Sequence, residues 1–303
     1  MRRATIREAL AAERPLVTAL AHDALSARLI ARAGFRAFTV GGSALLAARH
    51  GLPDIGLIGL KDMADGLRDI AAACDLPFFA DADDGYGDVK AVARTVREYE
   101  AIGVGGLLLE DQQRDRKQQR ADKAAGVIDE AAMAQKLLAA MAARRDPETF
   151  IIGRTDAYGA LGLDEALRRA EGFLKLGVDG VFIAGLRTPE EYERVGRALN
   201  GAVLVAAMFE GSGTPWLTPA ELGRMGYRQI AYPVSLMFRV VSILQSTLAD
   251  LRGHATGARV MQPLDNAASI RPILDEAVEL TRWRDIENRF GTPSAARPPE
   301  NVT

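Results

Sequence analysis

A short apolar run at 77–80 ends abruptly in a group of carboxylates, Asp81, Asp83 and Asp84. An apolar run that stops at clustered acids is typical of a buried parallel strand whose carboxyl end opens on a site. Asp81 and Asp83 alternate as strand residues do, so both side chains can point the same way. Two carboxylates held close together repel each other unless one is protonated or a cation bridges them. Hard oxygen ligands favour Mg²⁺ as that cation.

The same acids have a plainer interpretation. Asp84 or Asp88 can cap the next helix while the remaining carboxylates face solvent. An EF-hand is excluded, because Asp83 and Asp84 are adjacent where that loop needs a spacer. This stretch by itself therefore leaves a metal site and a helix cap both open.

The bulk properties of the chain indicate an ordinary globular enzyme. Its 303 residues are 48% hydrophobic and 26% charged, which suits one barrel-sized domain or two smaller ones. A net charge of −2 gives no reason to expect nucleic acid or an anionic membrane as partner. The single cysteine, Cys74, excludes an intrachain disulfide and fits a reducing compartment. With no apolar run near the ~20 residues of a membrane span and no secretory signal, we expect a cytoplasmic protein.

Short apolar runs alternate with longer amphipathic ones along the chain. Predicted strands start at Leu16, Ala37, Pro77, Gly106, Phe150, Gly180, Val203 and Gln229. Predicted helices span 23–33, 60–73, 89–102, 129–144, 163–176, 189–199, 219–225 and 234–251. This alternation, without either glycine fingerprint of a nucleotide-binding fold, predicts an α/β fold of the (β/α)₈ TIM-barrel type. One more helix near 270–284 is surplus to a closed barrel, so we expect a barrel domain at 1–255 and a helical extension with a tail at 256–303.

Two predicted connections that follow strands are unusually long, 41–59 and 110–128. Loops of that length at the carboxyl end of strands are usually functional or disordered. Most of the second is polar, which predicts a mobile lid at 112–125 that closes over bound ligand. A solvated run of charges is the alternative.

Residues that follow the strands of a barrel converge on one mouth. In strand order they are His22 and Asp23; Gly41, Gly42 and Ser43; Asp81 and Asp83; Glu110 and Asp111; Arg154 and Asp156; and Glu210. Acids, an arginine and exposed backbone amides suit a Mg²⁺ site that receives an anionic substrate. The arginine can grip a carboxylate with two hydrogen bonds, and the amides can cradle a second anion.

Three of the singled-out residues have structural interpretations. Arg154 can be a salt-bridge partner inside the barrel rather than a substrate ligand. His22 is interpreted as a hydrogen-bonded edge histidine. Cys74 precedes the third strand, at the end of the barrel opposite the mouth, and is interpreted as structural.

Several segments in this order resemble the isocitrate lyase/phosphoenolpyruvate mutase superfamily, from about Leu16 to Leu251. The matching segments are Ala-His-Asp-Ala-Leu-Ser-Ala at 21–27, Gly-Leu-Pro-Asp at 51–54, Ala-Asp-Ala-Asp at 80–83 with Gly-Tyr-Gly at 85–87, Leu-Glu-Asp-Gln at 109–112, Gly-Arg-Thr-Asp-Ala at 153–157, and Phe-Glu-Gly at 209–211 with Thr-Pro at 214–215. The resemblance implies a barrel enzyme that uses Mg²⁺, or Mn²⁺ in its place, to form or stabilise the enolate of a 2-oxo acid. It also implies a homotetramer, a dimer of dimers that swap C-terminal helices.

The resemblance assigns roles by position. Asp83 becomes the direct metal ligand, and Asp54, Asp81 and Glu110 hold the waters of the ion. The metal set is therefore Asp81, Asp83 and Glu110, and the catalytic set is Arg154, Asp54 and Glu110. The expected ligands of the anionic carboxylate substrate are Gly42, Ser43, Arg154 and Glu210. The expected lid residues are Arg116, Lys117, Gln118 and Arg120.

The chain also departs from the superfamily. The carbon–carbon lyases of the superfamily carry Lys-Lys/Arg-Cys-Gly-His on the lid, with the cysteine as general acid. In this chain the matching residues 116–120 read Arg-Lys-Gln-Gln-Arg. Glutamine cannot deliver a proton at neutral pH. Ala207 also stands where those lyases have asparagine.

Loss of CO₂ from a 2-oxo dicarboxylate needs no acid for the leaving group. We therefore expect a Mg²⁺-dependent carbon–carbon lyase of the decarboxylase type, acting on a small 2-oxo or 2-hydroxy dicarboxylate. A phosphonopyruvate hydrolase or phosphonomutase is the alternative. A member that binds metal or ligand without turnover is a third possibility.

Overall fold

The computed structural model describes residues 3–117 and 126–291, and its strands close into a barrel in chain order. Every neighbouring pair is parallel, and the last strand pairs with the first, so no strand edge is left open. The predicted (β/α)₈ barrel is confirmed. The strands are β1 (Leu16–Ala21), β2 (Phe38–Val40), β3 (Phe78–Asp81), β4 (Gly106–Glu110), β5 (Phe150–Thr155), β6 (Gly180–Ile183), β7 (Leu204–Ala207) and β8 (Tyr227–Tyr232).

The helices follow amphipathic segments whose starts are set by capping side chains. Asp88 accepts hydrogen bonds from the amides of Lys90 and Ala91, and Thr188 caps a helix that has Pro189 in its first turn. They are α1 (Ile6–Ala12), α2 (Ala24–Arg32), α3 (Gly42–His50), α4 (Leu60–Ala73), α5 (Val89–Ile102), α6 (Glu130–Ala143), α7 (Ala157–Leu161), α8 (Leu163–Lys175), α9 (Pro189–Ala198), α10 (Pro219–Arg224), α11 (Ser235–Ala255), α12 (Ala267–Ala277) and α13 (Leu280–Phe290).

Two expectations about the connections are wrong. The predicted long loop at 41–59 contains α3, which forms because Leu45 and Leu46 bury an apolar face although no side chain caps the helix start. The predicted surplus helix at 270–284 is two helices, α12 and α13. They are separated at Glu279, whose φ of 55° is incompatible with a continuous right-handed helix.

The interior of the barrel is a packed apolar core closed at its amino end. Phe79 and Phe150 meet edge to face with ring centroids 6.1 Å apart. Gly106 makes room for them, because a Cβ there would lie 2.7 Å from the Phe79 ring. Ile6 and Leu10 of α1 belong to the same buried cluster. Helix α1 therefore plugs the amino end of the barrel and leaves the carboxyl end as its mouth.

The chain divides into two compact units, Met1–Ser246 and Thr247–Thr303, with the division inside α11. The first unit contains the whole barrel. The second contains the end of α11 with α12 and α13, and it exposes large apolar side chains such as Val260, Trp283 and Phe290. Within the described residues, no helix is both long and apolar enough to span a bilayer.

Candidate active site

The backbone that presents the acids after β3 is tightly fixed. Asp81 ends β3, and its Oδ1 accepts a hydrogen bond of 3.0 Å from the amide of Asp83. Asp83 adopts a left-handed φ of 46°, and its carbonyl accepts 2.8 Å from the amide of Glu110. Aspartate tolerates this conformation better than most residues, but it still has a cost that the surrounding contacts must offset. The predicted convergence of the ends of β3 and β4 is observed.

The Gly-Tyr-Gly segment that follows supports this turn. Gly85 has a φ of 82°, and a Cβ at this position would lie 2.4 Å from Val92, so only glycine fits. The hydroxyl of Tyr99 on α5 donates to the carbonyl of Asp81 at 2.9 Å and lies 2.9 Å from the hydroxyl of Tyr86. These buried contacts fix the height of the acids above the barrel.

Lys117 lies inside the group of acids. Its Nζ is 2.9 Å from Asp54 Oδ1 and 3.7 Å from Glu110 Oε1, and it donates a short hydrogen bond to Asp83 Oδ1. Burial lowers the pKa of this ammonium, but the charges of Glu110, Asp81, Asp83 and Asp54 outweigh that effect and raise the pKa. The lysine is only 8% exposed, so it partly neutralises the acids from within.

Lys117 belongs to the predicted lid at 112–125. At the near end of that segment Gln112 pairs with Val127, and Arg114–Arg116 forms a 3-10 turn. The ion pairs of Lys117 add to these contacts, and closure over ligand stays a prediction. Of the other predicted lid residues, Arg116 belongs to that turn, and Gln118 and Arg120 lie outside the described residues.

Arg154 joins two carboxylates at the mouth. Its guanidinium lies 2.8 Å from Glu110 Oε2 and 2.8 Å from Asp156 Oδ1, and it covers the ring of Phe182. Burial lowers the pKa of Arg154, but Asp156 and Glu110 more than reverse this and raise it. The side chain keeps 23% exposure. Arg154 is therefore a salt-bridge partner that still faces the mouth.

The two other predicted substrate-binding groups differ in their surroundings. The amide of Gly42, at the start of α3, points at Asp81 Oδ2 across 3.4 Å, and Ser43 follows it. A Cβ at Gly42 would lie 3.8 Å from Asp83 Oδ1, so this backbone borders the acids closely. Glu210, after β7, instead pairs with Arg239 of α11 at 2.7 Å.

The acid group fits a hydrated Mg²⁺ ion. Burial, together with the charge of Asp81, raises the pKa of Asp83 to about 6. Asp83 Oδ2 is buried and has no hydrogen-bond partner among the described residues. Within those residues no three acidic, imidazole or thiol side chains form a ready-made set of direct ligands. Since Mg²⁺ usually keeps several waters, one direct carboxylate with neighbouring acids on its waters suits these positions.

Sequence reasoning missed the residues that hold the loop bearing Asp54. Arg114 donates to the carbonyl of Ile58 at 2.9 Å and forms a short ion pair with Asp84. Lys136 of α6 donates to the carbonyl of Asp84 at 2.7 Å. Asp84 thus ties the loop to the acid-bearing turn rather than capping α5. No sequence signal marks these cations, because each reaches its partner from a distant element.

Among the described residues, no hydrogen bond or ion pair joins His22 or Cys74 to the acids of the site. The interpretation of His22 as hydrogen-bonded is wrong at Nδ1, which is buried without a partner in the described part of the chain. Asp23, its neighbour, uses its carboxylate to cap α2. Cys74 is buried between α4 and β3, at the amino end of the barrel, where it was expected.

The chain as a whole is similar to several known proteins. A profile described as phosphoenolpyruvate phosphomutase matches residues 6–252. The chain is 33% identical to 2,3-dimethylmalate lyase of Eubacterium barkeri over 95% of its length and 98% of that protein. It is 37% identical to probable 2-methylisocitrate lyase 1 of Corynebacterium glutamicum over 84% of its length and 83% of that protein. It is 32% identical to oxaloacetate decarboxylase of Bradyrhizobium sp. over 93% of its length and 96% of that protein.

Solved structures agree with these relatives. Oxaloacetate acetylhydrolase in complex with 3,3-difluorooxalacetate superposes with a TM-score of 0.87 at 28% identity, covering 96% of this chain and 97% of that one. Phosphonopyruvate hydrolase in complex with oxalate and Mg²⁺ superposes with a TM-score of 0.81 at 26% identity, covering 95% of this chain and 98% of that one. The superfamily resemblance expected from the sequence is confirmed. This chain belongs to the phosphoenolpyruvate phosphomutase family, within the isocitrate lyase/phosphoenolpyruvate mutase superfamily.

Proposed function

We propose that this protein is a Mg²⁺-dependent carbon–carbon lyase of the decarboxylase type that acts on a small 2-oxo or 2-hydroxy dicarboxylate. Its relatives bear the names of lyases and a decarboxylase, so the lyase class expected from the sequence is confirmed. The observation that carries the proposal is the buried Asp83 with its raised pKa, set among Asp54, Asp81 and Glu110 beside Arg154.

In this proposal Asp83 holds the metal directly, and Asp54, Asp81 and Glu110 hold its waters. Mn²⁺ has similar ligand preferences and can replace Mg²⁺. When bound, the ion supplies a Lewis acid for the oxygens of a 2-oxo acid. The relative solved with oxalate and Mg²⁺ supports the pairing of this metal with a small dicarboxylate.

The residues of the mouth select an anionic substrate. Arg154 binds one carboxylate through the part of its guanidinium that stays exposed. The amides of Gly42 and Ser43 face the same anion from the start of α3. Lys117 supplies a second cation nearby, which favours dianionic over monoanionic substrates. Glu210 borders the substrate from the end of β7, held by Arg239.

The surroundings of the site suit decarboxylation. Ala207 at the end of β7 is apolar and buried, so it cannot hydrogen-bond a departing carboxylic acid. The departing CO₂ is neutral, and the backbone amides with Arg154 stabilise the negative charge on the enolate until a proton from water converts it to the 2-oxo acid. Asp54 and Glu110 keep the surrounding polar network in place.

Two alternatives remain open to experiment. The structural likeness to phosphonopyruvate hydrolase favours phosphonate chemistry as a second candidate. A binding protein without turnover is the third, and the complete set of acids argues against it. All three share the same metal site, so only the products distinguish them.

We further propose a cytoplasmic homotetramer, a dimer of dimers that swap their C-terminal helices. The support is the exposed apolar side chains of α11 and of the second unit, for example Ile243, Leu248 and Phe290. Patches of this kind often mark protein interfaces. Residues 1–255 then form the barrel domain, and 256–303 the extension.

A substrate panel tests the proposed reaction. The purified protein is incubated with oxaloacetate, 2-methylisocitrate, 2,3-dimethylmalate and phosphonopyruvate, and pyruvate is measured with Mg²⁺ or with a chelator. We expect pyruvate and CO₂ from oxaloacetate, only with metal. Pyruvate with phosphate from phosphonopyruvate would establish the second candidate. Phosphoenolpyruvate from phosphonopyruvate would indicate a phosphonomutase, and recovery of every substrate unchanged would leave the binding protein.

A further inference from the structure

The turn that carries Arg154 is fixed by a residue from the neighbouring strand. Asp111 follows β4 and is completely buried. Its Oδ1 accepts a hydrogen bond of 2.9 Å from the amide of Asp156, and its Oδ2 accepts one of 2.7 Å from the hydroxyl of Thr155. Its own amide donates to the carbonyl of Arg154 at 3.2 Å. Asp111 therefore contacts all three residues of the turn.

A second arginine holds Asp111 in turn. Arg169 of α8 is 5% exposed, and its Nη1 donates to Asp111 Oδ2 at 2.8 Å. Its Nε donates to Glu165 at 2.9 Å. Burial raises the pKa of Asp111, while hydrogen bonds from Asp156, Thr155 and Arg169 work against that rise. A buried carboxylate without such a partner would be costly, so the pair is mutually required.

The same two residues also hold the far end of the lid connection. The Ile128 carbonyl accepts 2.9 Å from Arg169 Nη1, and the Ile128 amide donates to the carbonyl of Asp111 at 2.8 Å. Asp111 and Arg169 therefore hold both the turn that carries Arg154 and the point where the lid connection returns to the barrel. None of these groups lies among the acids proposed to hold the metal.

We propose that Asp111 and Arg169 are positioning residues for substrate binding. They act through Asp156, whose carboxylate orients the guanidinium of Arg154 at 2.8 Å. Displacement of the Asp156 amide would move that carboxylate and turn the guanidinium away from the mouth. This inference deepens the proposed function and rests on Arg154 as the carboxylate ligand.

The other end of β5 supplies a control pair, whose carboxylate also has a second arginine partner, Arg7. There Arg144 pairs with Asp179 at 2.7 Å, and Asp179 Oδ2 accepts a hydrogen bond from the amide of Ile151 at 2.9 Å. Each pair thus fixes a backbone amide at one end of β5 through a carboxylate. Only the Asp111–Arg169 pair lies at the mouth, so a purely structural role predicts the same change in oxalate Kd for loss of either arginine.

The test measures oxalate binding by calorimetry in the presence of Mg²⁺ for the full-length protein and three variants. For Arg169→Met we expect the oxalate Kd to rise about 10- to 100-fold, as is typical for loss of a residue that orients a ligand-binding group. Arg169→Lys keeps the charge and should bind oxalate more tightly than Arg169→Met. Arg144→Met should lower the Tm yet leave the oxalate Kd within about threefold.

Each outcome decides the inference. An oxalate Kd for Arg169→Met equal to that of the unaltered protein, or an equal rise for Arg144→Met, overturns it. If Arg169→Met does not fold, Asp111→Asn replaces it, and an oxalate Kd in that folded variant equal to that of the unaltered protein overturns the inference. Oxalate binding without turnover of any substrate refutes the proposed reaction but leaves the inference supported if the Kd rises as expected. Failure of the unaltered protein to bind oxalate with Mg²⁺ overturns both.

Discussion

The two ends of the barrel surround a largely buried carboxylate in opposite ways. At the amino end Asp179 lies 2.5 Å from Arg7 and 2.7 Å from Arg144, and it accepts a hydrogen bond from the amide of Ile151. At the mouth Asp83 shares Lys117 with other acids and has a raised pKa. At the amino end Asp179 has two arginine partners of its own, whereas at the mouth Asp83 and its neighbouring acids carry more negative charge than Lys117 can neutralise. Incomplete neutralisation of this kind is typical of groups that bind ligands.

The largest expected contrast comes from removing each acid. Asp83→Ala should lower lyase activity by about 10³-fold or more, within the range for loss of a group that stabilises the transition state. Its stability without metal should not fall, because a carboxylate repelled by its neighbours is removed. Asp179→Ala should keep its activity and lose about 2 kcal/mol of unfolding free energy, because the Ile151 amide loses its acceptor. Turnover and urea unfolding of both variants measure the contrast. Undiminished Mg²⁺ dependence in Asp83→Ala would refute the metal assignment.

The mouth should also respond to pH. Because Mg²⁺ binds the ionised carboxylate, its Kd should rise as the pH falls through the Asp83 pKa of about 6, roughly tenfold per pH unit below it. Without metal, low pH favours the folded protein instead. The folded protein keeps a proton on Asp83 that the unfolded chain releases, so the free energy of unfolding falls as the pH rises from about 4 to 6.

Calorimetric titration with Mg²⁺ and urea unfolding, both across pH 4.5 to 7.5, follow the two effects. Asp83→Asn is the control, since its side chain carries no titrating group. A Mg²⁺ Kd that stays constant across this range would contradict the position of Asp83 at the metal.

Replacement of Lys117 by methionine should change the stability of the metal-free protein, by less than the changes above. The variant loses the cation that partly neutralises the acids, so its metal-free Tm should fall by several degrees. Added Mg²⁺ should then raise the Tm more than it does in the unaltered protein. Lys61→Met, which removes an exposed lysine paired with Asp65, is the control and should change little. An equal Mg²⁺-induced rise in all three proteins would show that Lys117 does not neutralise the acids.

The smallest change is expected for Cys74→Ser. The thiol is buried at the amino end, where burial raises its pKa and keeps it protonated. Turnover should stay within about twofold, with a stability loss of about 1 kcal/mol. Initial rates and thermal unfolding check both values. A rate loss beyond about tenfold at unchanged stability would place the thiol near the chemistry.

The sequence predicted the fold and the acids better than the cations that hold them. The strands and most helices follow from local periodicity, and Asp81, Asp83 and Glu110 were found because acids directly after apolar strands are conspicuous. Arg114, Lys117 and Arg169 act through long side chains that reach distant elements, so spacing along the chain carries no information about their partners. Helix α3 was missed because Gly41 gives no side-chain cap.

The place where β8 pairs with β1 and closes the barrel bears on how the site can be inherited during recombination. In the closed order of strands this place lies across the barrel from β4. Apart from Glu210 and Arg239, the groups assigned to the site fall within one stretch, 42–169, and this stretch includes both the acids and their counter-cations. Recombination that exchanged β6 through α11 as one piece would separate none of these site groups from its ionic partner, because Glu210 and Arg239 would move together. The segment from β6 to α11 can therefore diverge while 42–169 is passed on as a complete reaction centre.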